Sequence, residues 1–84
     1  MEDYVLAVLI IRKLNKKRCW GARHTSFDNL PKGFPSHMHK GVKEVGKELI
    51  KEGFILTKPT HYGLEISLNQ KKSREIKRLA GIIH

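Results

Sequence analysis

The sequence predicts an α+β domain, with helices packed around a C-terminal β-hairpin and a single domain over residues 1–84. Three observations predict it. The chain has 84 residues, room for one domain with one small core. Met38, Val42, Val45 and Leu49 recur at helical spacing and fall on one narrow stripe at about 100° per residue. Further on, Leu64, Ile66 and Leu68 alternate with Glu65 and Ser67, the period of a half-buried strand.

Residues 3–18, DYVLAVLIIRKLNKKR, open the chain. Val8, Ile10 and Ile11 favour strand locally, but the length and the basic tail favour helix. Asp3 sits near the cap, and Lys16, Lys17 and Arg18 lie at the negative end of the helix dipole. The helix is apolar on nearly every side over its first two turns, so it is either centrally buried or shares a face with a second subunit. Residues 19–37 are punctuated by Gly21, Pro31, Gly33 and Pro35. Within them ARHT predicts a short strand, and Ser26 caps a brief helical turn, FDNL, which Pro31 restricts. Pro35 leads into the next helix, with Ser36 as its N-cap.

Residues 37–52 form the clearest helix, and Gly53 is its expected stop. Gly41 and Gly46 inside it each cost about 1 kcal/mol relative to alanine, which close packing against a neighbouring element explains. FILTKP and GLEISL read as two strands joined by a fairly long loop from Pro59 to Gly63. Asn69 then caps a last helix over 70–83, with Ile76, Leu79, Ala80 and Ile83 as its apolar stripe and a basic remainder.

Charge narrows the classes of partner. Lys and Arg number 17 against 8 Asp and Glu, giving a net charge of +9 and a pI near 10.0. That balance favours an anionic partner. The single cysteine, Cys19, excludes an intramolecular disulfide and fits a reducing cytosol, where it reads as a buried structural thiol. The apolar run YVLAVLII follows two acids rather than a basic segment and falls far short of the roughly 20 residues a membrane span needs. The expectation is a cytoplasmic protein with no membrane contact.

At ELIKEGFI the helix runs through a glycine into apolar residues that open a hairpin. With HTSFDNLPKGFPSH before it and LTKPTHYGLEISLN after it, the chain resembles small winged helix-turn-helix proteins of archaea and other prokaryotes. The resemblance spans roughly residues 3–68. It implies a three-helix core with a β-hairpin wing, to which the helix over 70–83 is appended. It also implies DNA binding and a role in transcription regulation, with residues 37–52 as the recognition helix in a major groove. The loop around His61 and Tyr62 would be the wing, and the first or last helix would supply any homodimer contact.

The residues themselves bear on the same point. On the helical wheel Lys43, Lys47 and Lys51 lie within about 60° of Lys40, opposite the apolar stripe. His37 extends this ridge, while Glu44 and Glu48 sit to one flank within pairing distance of its lysines. Lys58, His61 and Tyr62 occupy the hairpin. No acid falls among residues 4–27, where Arg12, Lys13, Lys16, Lys17, Arg18 and Arg23 cluster. The candidate nucleic-acid contacts are therefore His37, Lys40, Lys43, Lys47, Lys51, Lys58, His61 and Tyr62. Residues 37–52 hold no arginine, glutamine or asparagine, so bidentate reading of guanine or adenine is absent from them. Phosphate contact is expected to outweigh base reading, with DNA favoured over RNA.

Other chemistries have less in the sequence to carry them. No CxxC or HxxxH spacing occurs, and only an assembly in space of Cys19, His24 and His61 would offer metal ligands. No paired carboxylates, phosphate loop or nucleophile motif stands out, so neither catalysis nor a cofactor is expected. The rival readings are a winged-helix protein-interaction module, docking through residues 4–11, the 76–83 stripe, Trp20 or Phe34, and an RNA- or ribosome-associated protein.

Overall fold

The first helix, α1 (Glu2–Lys16), turns one face inward and leaves the other in solvent. The structure, a computed structural model, describes residues 2–82. Leu6, Ala7, Ile10, Ile11 and Leu14 are buried, while Val5 is 52% and Leu9 38% exposed. The all-round apolar surface expected from the sequence is therefore divided, because the rest of the chain covers only one side of α1. The helix stops at a backbone motif in which Cys19 N–H bonds to Leu14 O and Arg18 N–H to Asn15 O.

Three strands and two further helices follow among the described residues. Strand β1 (Thr25–Ser26) is shorter than the expected ARHT strand and shares only Thr25 with it. Helix α2 (His39–Lys51) precedes the hairpin strands β2 (Ile55–Thr60) and β3 (Gly63–Leu68), and α3 (Ser73–Ala80) closes the chain. The sheet is antiparallel in the order β1-β3-β2. Both α2 and α3 pack on α1, with β3 beneath. The core joins Ile10, Ile11 and Leu14 of α1 to Val42 and Leu49 of α2, Ile66 and Leu68 of β3, and Ile76 of α3. No helix among the described residues is long and apolar enough to cross a membrane.

Several expectations are corrected. The brief turn expected over FDNL forms as a 3-10 turn, Phe27–Asn29, with Ser26 Oγ accepting from Asp28 N–H, so the middle helix that the resemblance implied is reduced to that one turn. Its neighbour Leu30 is 1% exposed and packs over α2 where Gly46 lacks a side chain. Ser36 is not the cap of α2, because residues Ser36–Met38 form another 3-10 turn and Met38 precedes α2 with no side-chain cap. The last helix is preceded by a 3-10 turn, Gln70–Lys72, capped by Asn69, and ends at Ala80. Gly81 takes φ +68° and bonds back to Arg78 O, while Ile82 N–H bonds to Lys77 O, so the helix cannot continue. Ile83, counted in its stripe, lies outside the described residues.

The hairpin is also tighter than expected. Pairing continues to Thr60↔Gly63, leaving only His61 and Tyr62 as the loop. Pro59 is tolerated inside β2 because β2 is an edge strand. Thr60 Oγ1 accepts from Tyr62 N–H and donates to Gly63 O at 2.8 Å, which holds the turn without a long loop.

Alternation in β3 fails at its end, where Ile66, Ser67 and Leu68 are all 0% exposed. The segment after α1 folds back along β3, with Leu68 N–H bonding to Cys19 O and Gly21 N–H to Leu68 O. Ser67 Oγ, turned to the face expected to be solvated, donates to Gly21 O at 2.8 Å. Ser67→Ala is expected to lower stability by about 1 kcal/mol, read as a fall in Tm of about 5 °C.

Candidate nucleic-acid interface

Helix α2 separates its surface chemistry by face. Val42, Val45, Gly46 and Leu49 are buried, which directs the opposite face to solvent. Lys40, Lys43, Lys47 and Lys51 are all exposed there. The ridge runs about 16 Å from Lys40 to Lys51 at helical rise. Glu44 and Glu48 are exposed beside it, yet among the described residues neither pairs with a ridge lysine. The side-chain pairing expected from the i,i+4 spacing is not formed.

The N-terminal end of α2 has a polar arrangement of its own. No acid occupies its first turn and no side chain caps it. His39, absent from the expected site, bonds through Nε2 to Phe34 O at 2.8 Å and ties the helix start to the preceding loop. His37 is exposed on the 3-10 turn ahead of the helix. At the other end Gly53 takes φ +82° and passes the chain into β2, while Lys72 Nζ donates to Glu52 O at 3.2 Å.

The hairpin residues stand apart from the ridge. Strand β2 carries its tip about 20 Å from Ile55 at strand rise. His61 and Tyr62 form that tip, and Tyr62 is 97% exposed, so its ring packs on nothing in the chain. Lys58 is exposed but sits directly across from Glu65 in the strand register. An acid opposite it reduces the positive potential at that point, a neighbour legible only once the register is known.

The basic cluster at the end of α1 divides. Arg12 Nε donates to Ala80 O at 2.8 Å. Lys13 Nζ donates to Asn29 O and Leu30 O at 2.8 Å and also to Lys32 O, and lies 5.6 Å from the Phe34 ring centre. Burial, with Lys17 and Lys32 nearby, lowers its pKa below the usual 10.5. Lys13 therefore holds the 29–32 turn to α1 instead of facing a partner. Lys13→Met leaves three carbonyls without this donor and is expected to cost roughly 2 kcal/mol, measured as a lower urea midpoint. Lys16, Lys17, Arg18 and Arg23 remain exposed.

The other candidate surfaces are partly used inside the chain. Ile76 and Ala80 of the last helix are buried. Trp20 is half-buried, donating from Nε1 to Asn15 Oδ1 at 2.9 Å with Lys77 Nζ 5.8 Å from its ring centre, and Phe34 is half-buried under Lys13. Among the described residues no three His, Cys, Asp or Glu side chains converge as metal ligands, so Cys19, His24 and His61 are not brought together. Comparison with known protein families, with curated proteins and with solved structures gives no match in any of the three.

Proposed function

We propose that this chain is a double-stranded DNA-binding protein of winged-helix type that lays α2 in a major groove, and that its role is transcriptional regulation. The observation that carries the reading is the row of four exposed lysines, unpaired among the described residues, on one side of a well-anchored helix. The strand order β1-β3-β2 and the hairpin directly after α2 support it, as does the start of α2, which carries no acid and whose dipole favours a phosphate. Lys40, Lys43, Lys47 and Lys51 neutralise phosphates and release counterions, while His37 lies at the helix start within the same footprint. Lys58, His61 and Tyr62 touch the backbone beyond the groove. With lysine as the only long cation on α2, affinity exceeds sequence selectivity.

The test is a fluorescence-anisotropy titration of a random 16-base-pair DNA duplex, and then of an RNA duplex, at 50 and 200 mM salt. Four phosphate contacts imply a loss of about 100-fold in DNA affinity between the two conditions. RNA is expected to bind more weakly, because its deep, narrow major groove does not admit a helix. Absence of DNA binding at 50 mM salt contradicts the proposal, and RNA binding as tight as DNA replaces it with the RNA reading.

A further inference from the structure

Half of the acids of this basic chain share one groove. Four of the eight, Asp3, Glu48, Glu52 and Glu75, line a single groove between α1, α2 and α3. The groove has a volume of about 760 Å³ and an apolar floor that includes Val45, Leu49, Phe54 and Leu79. Tyr4, 58% exposed, stands at its edge, its hydroxyl 3.4 Å from Leu79 O. Among the described residues Arg78 is the one cation of the lining, and Lys72 Nζ lies 5.2 Å from the Phe54 ring centre at one end of the floor.

We infer that this groove receives a cationic amphipathic helix of a partner protein, its apolar side against Leu49, Phe54 and Leu79 and its lysines or arginines against the acidic rim. Charge selects this occupant. Phosphate is repelled by the rim, so the groove is not an extension of the lysine ridge. A second copy seated symmetrically would set Asp3, Glu48, Glu52 and Glu75 against themselves in a pair of chains each carrying +9. The acids do not converge on a metal site; they are spread along a cleft, as a helix laid in a groove requires. The rim lies on the glutamate flank of α2, beside its lysine face, so one helix presents one surface to nucleic acid and the other to protein.

The test uses an 18-residue lysine–leucine peptide patterned as an amphipathic helix, a scrambled peptide of the same composition, and the intact protein labelled with nitrogen-15. The patterned peptide is expected to bind at least tenfold more tightly than the scrambled one and to shift the amides of Ala7, Val45, Leu49 and Leu79. The triple variant Glu48→Gln, Glu52→Gln, Glu75→Gln changes exposed side chains only and is expected to weaken that binding at least tenfold. Equal affinity for the two peptides, undiminished binding to the triple variant, or shifts confined to the Val5 and Leu9 face overturns the inference.

Discussion

Replacing Lys40, Lys43 and Lys47 with glutamine is expected to reduce affinity for duplex DNA by roughly 10²–10³-fold at 0.1 M salt. Each phosphate contact contributes about 0.9 to the slope of log K against log salt, close to one decade of affinity at that concentration. The three side chains are exposed and have no partner among the described residues, so their replacement is expected to leave Tm within a few degrees. The slope itself should fall by about 2.7. The control is Lys16→Gln with Lys17→Gln, at the end of α1, which removes two positive charges elsewhere on the surface. If the ridge is the interface, that pair changes affinity by less than about tenfold, with most of its effect through long-range attraction screened by salt. Equal losses from the two variants would mean that net charge, and not α2, holds the DNA.

Gly46→Val is expected to destabilise the fold by about 3 kcal/mol, the upper end for overpacking a core. A Cβ placed on Gly46 lies 2.8 Å from Leu30 Cδ2 and 3.2 Å from Phe27 Cε1. Leu30 is 1% exposed and cannot swing away. The glycine lets the 27–30 turn lie directly on α2. Gly41→Ala on the same helix gives the informative contrast. Its Cβ meets only Leu6 Cδ1, at 3.2 Å, the end of one flexible side chain, where that of Gly46 meets two. The helical preference for alanine, about 1 kcal/mol over glycine, then outweighs a small adjustment, and the variant is expected to be neutral or slightly stabilised. Urea denaturation of the two variants checks both signs. For a chain of this size a loss of 3 kcal/mol is a large share of total stability.

Much of this arrangement was legible in the residues because it rests on local periodicity. The α2 stripe and the opposed lysines follow from helical geometry alone, and the structure places Lys40, Lys43, Lys47 and Lys51 on the exposed side as the wheel requires. The hairpin strands were likewise read from the residues, although the alternation expected of β3 does not hold, with Leu64 exposed and Ser67 buried. What escaped was decided by contacts distant in sequence or by competing local signals. Ser67 is buried because residues 19–21 return to cover β3, which no pattern within the strand records. Pro59 signalled a loop, but its place on an edge strand leaves β2 intact. Gly81 was a readable stop, masked by isoleucines beyond it that seemed to extend the stripe. The acidic groove draws on residues 3 to 79, and only the packing of three helices reveals it. The same packing ties Arg12, still exposed, and the half-buried Lys13 to backbone carbonyls distant in sequence.

The most direct measurement of the DNA-binding claim is residue-by-residue amide shift mapping of the labelled protein during titration with a random DNA duplex at low salt. The account requires the largest changes along α2 at Lys40, Lys43, Lys47 and Lys51, smaller ones at His37 and from Lys58 to Tyr62, and reversal of all of them as salt is raised. An unperturbed α2, with changes confined to α1 and α3 or absent altogether, would contradict it.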